Sequence, residues 1–144
     1  MSWTYSRRVR YSETDRMGVV HHSNYLRYLE EARVDWFNCL VMPYRDLEAA
    51  GAIMPVIAAR GTFKAFLRFD DPFSVETRLI FYNGVRLTVA YEVRNTDTGE
   101  LCYEGETEHC FVSNPDYKPL PFKKKYPELH EKLMAELEKP EPKR

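Results

Sequence analysis

A carboxylate, a glycine and two histidines lie close together early in the chain, in the run Asp15-Arg-Met-Gly18-Val-Val-His21-His22-Ser-Asn24. An apolar pattern of helical period begins directly after this run and predicts the start of a helix. A helix start carries unpaired backbone N–H groups and a partial positive charge, so it favours an anion or a polarised carbonyl oxygen. A carboxylate a few residues away can serve as a base or a nucleophile. Together these groups form the minimum apparatus for attack on an acyl group.

The elements that position this run are a strand before it and a long helix after it. Alternating residues predict the strand over residues 3–11, with one face made of Trp3, Tyr5, Val9 and Tyr11. Ser23 or Asn24 can cap the helix, which we expect to end at about Leu40. Its inward stripe, at helical spacing, is Tyr25, Leu29, Ala32, Trp36 and Leu40.

The rest of the chain predicts a second short helix and then strands joined by tight turns. The short helix starts at Pro43, runs through Ala50 and is closed by Gly51. Strands are expected over residues 53–69 with a break or bulge near Gly61, and over residues 73–82, 85–94 and 101–112. The Asn83-Gly84 pair is a strong hairpin signal because both positions tolerate positive φ. A surface helix is expected over residues 126–138, followed by fraying over residues 139–144.

This order of elements predicts an α+β fold with one long helix and a four-strand antiparallel meander. A sheet with one apolar face needs a cover, and only the long helix can supply it. We therefore expect a curved antiparallel sheet wrapped around a central helix over residues 1–115. Residues 116–144 would form a polar extension that carries the short surface helix.

The bulk properties exclude several classes of protein. A chain of 144 residues that is 44% hydrophobic and 30% charged fits one globular domain. Its formal net charge of −1 gives no reason to expect nucleic acid or a membrane surface as a partner. No apolar run approaches the roughly 20 residues of a membrane helix.

The cysteines and the start of the sequence favour a cytoplasmic location. The three cysteines, Cys39, Cys102 and Cys110, have no metal-binding spacing and cannot all pair. Strand-like sequence begins directly after Met1, so we expect no leader. The four histidines also lack the spacing of a zinc site, and we expect neither a metal nor a redox cofactor.

The motif resembles that of the 4-hydroxybenzoyl-CoA thioesterase family of hotdog-fold proteins, above all its bacterial branch associated with the Tol-Pal system. The resemblance rests on Asp15-x-x-Gly18-Val-Val-x-His22-x-Asn24-Tyr25 and on Glu30-x-Ala32-Arg33 in the following helix. It covers about residues 5–113. It implies hydrolysis of acyl-CoA by homodimers, often paired into tetramers, with active sites at the dimer interface.

Carried over by position, the resemblance assigns roles to individual residues. Asp15 becomes the catalytic carboxylate, as a nucleophile or as a base that activates water. The backbone N–H of His22 becomes the oxyanion donor, its side chain assists, and Gly18 allows a close approach of the chain. Tyr11 and Asn24 become orienting residues. The nearest match to the family's basic cluster for the CoA phosphates is Arg86.

Several singled-out residues have simpler explanations. Asp15 could form only an Asx-turn, and His22 could be an exposed linker residue. A helix carboxylate such as Glu30 or Glu31 could be the catalytic group, although Glu31 with Asp35 fits a solvated or interface face better. The basic run of residues 123–125 could reach the CoA phosphates or form a solvated surface.

Other functions and an oligomeric assembly also follow from the sequence. The acyl group could arrive on acyl carrier protein, the pocket could only bind a thioester, or a hotdog dehydratase could use the histidine. The chain has more aromatic residues than one exposed sheet face can use, so Phe63, Phe66 and Phe69 are expected to line a subunit contact or an acyl tunnel. An open sheet edge also favours pairing with a second copy.

Overall fold

A five-stranded antiparallel sheet forms the centre of the protein in a computed structural model, which describes residues 2–137. The strands in chain order are β1 (Ser2–Arg8), β2 (Ala52–Ile53), β3 (Val56–Phe63), β4 (Pro72–Tyr82), β5 (Arg86–Asn95), β6 (Leu101–Cys110) and β7 (Val112–Ser113). The helices are α1 (Ser23–Leu40), α2 (Tyr44–Ala49), α3 (Phe122–Lys125) and α4 (Pro127–Glu136). The large sheet has the order β1-β4-β5-β6-β3, and β2 pairs with β7 in a separate two-stranded sheet.

The long helix α1 packs on the inner face of the sheet and supplies its apolar cover. Its 18 residues form a rod about 27 Å long at roughly 1.5 Å per residue. The predicted stripe is buried from Tyr25 to Trp36, but Leu40 is only partly buried because the helix ends there at the rim. Alternate residues of β5 face the helix, and Leu87, Val89, Tyr91 and Val93 are buried. The expected α+β architecture is confirmed.

The first strand ends earlier than its alternation predicts. β1 stops at Arg8, and a 3₁₀ turn over Tyr11–Glu13 follows. Tyr11, which we expected on the inward face, is 78% exposed. The physical reason is the Glu13 carboxylate, which accepts the Arg10 N–H at 2.7 Å and so turns the backbone out of the sheet.

The prediction of a four-strand meander is wrong in one respect. β4, β5 and β6 are consecutive neighbours, but β3 pairs with β6 at the far edge. β1 already occupies the other side of β4, so β3 must take the edge of β6 that remains open. The expected strand over residues 53–69 is two short strands and a loop, and its register shift lies between Val56 and Ala58 rather than near Gly61.

The last described helices pack on the end of the sheet where β4 turns into β5. Phe122 of α3 stacks on Phe111 with ring centroids 4.0 Å apart. The Tyr82 hydroxyl lies 2.6 Å from Nδ1 of His130, a buried residue of α4. The division at residue 115 stays a prediction, and the expected fraying of residues 139–144 lies outside the described residues. Among residues 2–137, no helix is long and apolar enough to cross a membrane.

The pair Gly61–Gly105 allows β3 to lie close against β6. A Cβ at Gly105 would come 2.4 Å from the Arg60 carbonyl oxygen and 3.0 Å from the Gly61 Cα. Both are backbone atoms, so the strands themselves would have to separate. We expect Gly105→Ala to cost about 1–3 kcal/mol of unfolding free energy in urea titrations. The matched substitution Ser74→Ala on β4 should change it by less than about 0.5 kcal/mol, and equal values for the two variants would contradict the interpretation.

Candidate active site

The segment between β1 and α1 is a compact loop closed by backbone hydrogen bonds. The Asp15 N–H donates to the Val19 carbonyl at 2.9 Å, and the Gly18 N–H donates to the Asp15 carbonyl at 3.0 Å. Gly18 has φ +80°, a conformation that favours glycine. The loop is joined to residues 64–71 by the Val20 N–H, which donates to the Leu67 carbonyl at 2.8 Å. The tight glycine turn of the sequence is therefore present.

The carboxylate of Asp15 is half-buried at the start of this turn. Its Oδ1 accepts the Met17 N–H at 2.9 Å, which is the Asx-turn that we considered as the simpler explanation. Its Oδ2 has no hydrogen-bond partner in the part of the chain that the structure describes. One oxygen thus shapes the loop, and the other remains available.

The start of α1 is not capped by Ser23 or Asn24, the residues that we expected, and the His21 ring instead binds its first residue. The helix begins at Ser23, whose N–H donates to Nδ1 of His21 at 3.2 Å and whose hydroxyl lies 2.8 Å from the same atom. Asn24 cannot cap the helix because its side chain donates to the Glu13 carbonyl at 2.8 Å. Asn24 instead fastens the helix start to the preceding turn.

His22 occupies the N-cap position and is exposed. Its backbone N–H donates to no acceptor within residues 2–137. Its ring stacks on the His21 ring with centroids 4.1 Å apart. The helix start therefore presents an amide hydrogen with no protein partner among those residues, on the same loop as Asp15.

A partly buried ion pair between Arg7 and Glu13 holds this loop against the helix. Arg7 donates to both Glu13 oxygens, with Nη2 to Oε2 at 2.5 Å and Nη1 to Oε1 at 3.0 Å. Arg7 also reaches Glu31 of α1, with Nε to Oε2 at 3.1 Å. The Tyr28 hydroxyl donates to Glu13 at 3.1 Å, and the Glu13 carbonyl accepts the His21 N–H at 2.9 Å. Glu13 therefore connects β1, the loop and α1.

The electrostatics of Glu13 follow from these contacts. Burial alone would raise the pKa of Glu13, but the hydrogen bonds from Arg7 and from the Arg10 N–H hold that pKa below its ordinary value. The pKa of Tyr28 is raised by burial and by the Glu13 charge. Glu13 is thus an ionised structural group whose oxygens are already occupied.

The outer carboxylates of α1 also differ from expectation. Glu31 accepts from Arg7, and Asp35 accepts the Trp3 Nε1–H at 2.6 Å. Glu31 and Asp35 therefore bind side chains of β1 while staying half-exposed, and their place at a subunit contact stays a prediction. The third carboxylate, Glu30, is exposed on α1.

The structure does not bring Arg86 to Asp15 within one chain. Arg8 lies at the Pro72 end of β4, next to the loop, whereas Leu87 pairs with Tyr82 at its other end. The 11 residues of β4 separate these ends by roughly 30 Å at about 3.3 Å per residue. Arg86 instead lies near α3, because the Phe122 N–H donates to the Gly84 carbonyl at 3.0 Å.

With this geometry in view, the family can be assigned from sequence. Residues 9–135 match the model of the thioesterase-like superfamily. The chain belongs to that superfamily. It is 34% identical over 122 residues to YneP of Bacillus subtilis strain 168, a provisionally named acyl-CoA thioesterase, covering 85% of this chain and 88% of the relative.

Solved structures share the fold, and one of them is a thioesterase. A 1,4-dihydroxy-2-naphthoyl-CoA (DHNA-CoA) thioesterase from Staphylococcus aureus superimposes with a TM-score of 0.89 at 31% identity, covering 93% of this chain and 89% of that chain. The protein TT1821 from Thermus thermophilus gives a TM-score of 0.86 at 36% identity, over 96% and 100% of the two chains. The protein is a hotdog-fold thioester hydrolase.

The sequence analysis missed a buried polar network between α1 and the sheet of this thioesterase. Arg33 donates from Nη1 to the Tyr91 hydroxyl at 3.1 Å, and Tyr91 lies 2.7 Å from Oγ1 of Thr107. Thr107 is 2.7 Å from Nε2 of His109, whose Nδ1 is 3.2 Å from the Met54 carbonyl oxygen. The sequence analysis named Arg33 only as part of a family motif. The signal that could have revealed its role is a polar residue on an otherwise apolar face of the helix.

Two further features of the described chain bear on chemistry. Residues 2–137 contain no group of three or more histidine, cysteine, aspartate or glutamate side chains placed to hold a metal ion. Cys39 is exposed, Cys110 half-buried and Cys102 buried, each as a free thiol. Burial raises the pKa of the Cys102 thiol, which makes that thiol a poor nucleophile at neutral pH.

The role of Glu13 can be tested by its pH dependence. Because its pKa is lowered on folding, its contribution to stability is present above its unfolded pKa and is lost as the pH falls through its folded pKa. We expect Glu13→Gln to cost roughly 2–3 kcal/mol at pH 7 and progressively less on acidification. Urea unfolding at several pH values measures this difference, with Asp116→Asn as an exposed control. A cost that does not change with pH would contradict the ion-pair explanation.

Proposed function

We propose that this thioesterase hydrolyses acyl-CoA to the free acid and CoA, with Asp15 as the catalytic carboxylate. The observation that carries the proposal is that one loop holds both a free Asp15 oxygen and, at the start of α1, a His22 N–H with no acceptor among residues 2–137. The similar proteins named as acting on acyl-CoA and DHNA-CoA support a CoA thioester as the substrate. Membership of the Tol-Pal-associated branch stays part of the same proposal.

The proposed chemistry needs only groups of the chain. The thioester carbonyl oxygen accepts the His22 N–H, which stabilises the negative charge that develops during attack. Such a donor typically contributes roughly 3–4 kcal/mol to lowering the barrier. Asp15 either removes a proton from the attacking water or attacks the carbonyl itself, forming an anhydride that water then cleaves. In both routes the CoA thiolate leaves and takes up a proton.

The edge strand β3 supports assembly as a dimer. β3 pairs on one side with β6, and its Val56, Ile57 and Phe63 side chains are 48%, 45% and 56% exposed. An apolar edge of this kind invites pairing with a second strand. Two copies of β3 related by a two-fold axis run antiparallel, so the Phe63 end of one strand lies against the Val56 end of its twin.

This pairing would complete the site from two protomers. Tyr25 at the start of α1 contacts Phe63, with ring centroids 5.3 Å apart, so the loop of Asp15 lies at the Phe63 end. Val56, Met54 and Val34 line a cavity of about 420 Å³ at the opposite end. In the dimer, the chemical groups of one protomer thus face the cavity of the other. The exposed Phe66 and Phe69 near the loop would then line the subunit contact or the acyl tunnel.

The same pairing gives Arg86 a role in CoA binding. Arg86 lies at the Val56 end of the sheet, because Leu87 pairs with His109 and His109 pairs with Val56. Lys123 and Lys124 lie beside the neighbouring Asn83-Gly84 turn. These cations would hold the CoA phosphates on the protomer that takes the acyl group, while the partner provides its Asp15 and His22. Tyr11 and Asn24 would orient the loop that carries them.

The first test distinguishes a catalytic role of Asp15 from its structural role in the Asx-turn. Asn keeps the oxygen that accepts the Met17 N–H, so Asp15→Asn should preserve the loop and the melting temperature. We expect thiol release from acyl-CoA to fall by about 100-fold or more, because only the negative charge is removed. Asp70→Asn serves as the control. Hydrolysis by Asp15→Asn at the wild-type rate would show that the residue only shapes the turn.

The second test mixes two inactive variants. Asp15→Asn removes the carboxylate, and Val34→Trp fills the cavity. If each site combines one protomer's loop with the other's cavity, dimers reassembled from equal amounts should recover about a quarter of the wild-type sites. Size-exclusion chromatography establishes that dimers form. No recovery in mixed dimers would place the whole site within one protomer.

A further inference from the structure

The cavity at the Val56 end contains a buried cation without a carboxylate partner. Arg33 is 8% exposed and lines this cavity of about 420 Å³ beside apolar side chains such as Phe37 and Met54. Only Nη1 of Arg33 donates to a protein acceptor within residues 2–137, and no carboxylate lies within ion-pair distance there. The remaining guanidinium N–H groups of Arg33 are not among the fully buried unpaired atoms, so they are open to an acceptor that enters the cavity.

The polar network behind Arg33 fixes the guanidinium in place. Burial and the Arg33 charge lower the pKa of His109 to about 4, so His109 is neutral at pH 7. Its Nδ1–H donates to the Met54 carbonyl, and its Nε2 must therefore accept the Thr107 hydroxyl proton. Thr107 in turn accepts from Tyr91, whose oxygen accepts from Arg33. In each hydrogen bond of this network, the donor is therefore the group nearer to Arg33.

Because all donors of the network are used in this direction, the network contains no acceptor for the other N–H groups of Arg33. The two acidic residues of the cavity, Glu30 and Glu48, are exposed at its rim, and neither forms an ion pair with Arg33. The Tyr44 hydroxyl also lines the cavity and accepts the Met54 N–H at 3.1 Å, which leaves its own proton free to be donated. The cavity therefore offers hydrogen-bond donors from Arg33 and Tyr44 in a lining that combines apolar side chains with these polar groups and two exposed carboxylates.

We propose that Arg33 is a specificity-determining residue that binds an acceptor oxygen at the far end of the acyl group. The substrates would be acyl thioesters with a carboxylate or a hydroxyl beyond the thioester carbonyl, and acyl groups that end in a methyl would be poorer substrates. A guanidinium held by a fixed partner loses little freedom on binding such an oxygen. An apolar acyl end would leave the buried donors unpaired, which is the basis of strong rejection.

This inference rests on the proposed function, because the cavity takes an acyl group only if the partner's loop completes the site. The kinetic test compares CoA thioesters of equal chain length that end in carboxylate, hydroxyl or methyl. We expect the wild type to favour an oxygen-terminated substrate by about 10- to 100-fold in kcat/KM. Preference for carboxylate over hydroxyl, or the reverse, identifies the oxygen.

Variants of the network connect this preference to Arg33. Arg33→Met should abolish the preference while hydrolysis of the methyl-terminated substrate continues. Tyr91→Phe keeps the charge but frees Nη1, and it should weaken the preference through KM more than through kcat. Arg27→Met removes an exposed arginine of the same helix and should leave the preference intact. Melting temperatures identify any variant that fails to fold, and if Arg33→Met does not fold, Tyr91→Phe tests the preference in its place.

A binding measurement keeps this inference separate from catalysis. Non-hydrolysable CoA thioethers that end in carboxylate, hydroxyl or methyl are titrated into the wild type and into Arg33→Met by calorimetry. Tighter binding of an oxygen-terminated thioether that disappears in Arg33→Met supports the inference even if no thioester is hydrolysed. Equal binding of the three thioethers by the wild type, or an unchanged preference in Arg33→Met, would overturn it.

Discussion

The position of the loop depends on one ion pair, that of Arg7 with Glu13. Arg7 comes from the last part of β1, and its guanidinium lies 4.9 Å from the Tyr28 ring centroid while it donates to Glu13 and Glu31. Because Glu13 also anchors His21 through its carbonyl, any shift of the pair would move the start of α1 relative to Asp15. A guanidinium suits this task, since its fixed fork of donors can bind two carboxylates at once. The loop is also held by its buried valines, Val19 and Val20, and this charge-assisted bonding fixes how it lies against the helix.

Local patterns predicted the parts of the fold that local physics decides. The stripe from Tyr25 to Trp36 is buried because a helix must hide one face on the sheet. The turn at Asn83-Gly84 forms as expected, with Gly84 at φ +94° and the Asn83 side chain accepting the N–H groups of Val85 and Arg86. The turn at Gly18, with φ +80°, also forms as the sequence predicts. In each case a few consecutive residues carry the whole signal.

Features set by specific side-chain contacts or by distant residues were not predictable in this way. The alternation through Tyr11 is a proper strand pattern, but a carboxylate two residues later terminates the strand. The position of β3 in the sheet depends on which strand edges are already occupied. The residues of β3 alone give no information about those edges. The network from Arg33 to His109 joins residues 76 positions apart, so sequence shows it only as isolated polar residues on apolar faces. Such residues merit a search for partners across the fold, because a buried cation is costly unless its donors are satisfied.

In the proposed function, the two ends of the sheet divide the work of the thioesterase between them. The loop end has a fixed amide and a free carboxylate oxygen, whose chemistry is the same for every thioester. The Val56 end has a cavity whose base and walls can change without disturbing that loop, since α1 separates Arg33 from Ser23 by about 15 Å at roughly 1.5 Å per residue. A two-fold axis through β3 would join the unlike ends. Changes of the cavity would then alter the acyl preference of this protein while the Arg7–Glu13 pair keeps the chemical groups in place.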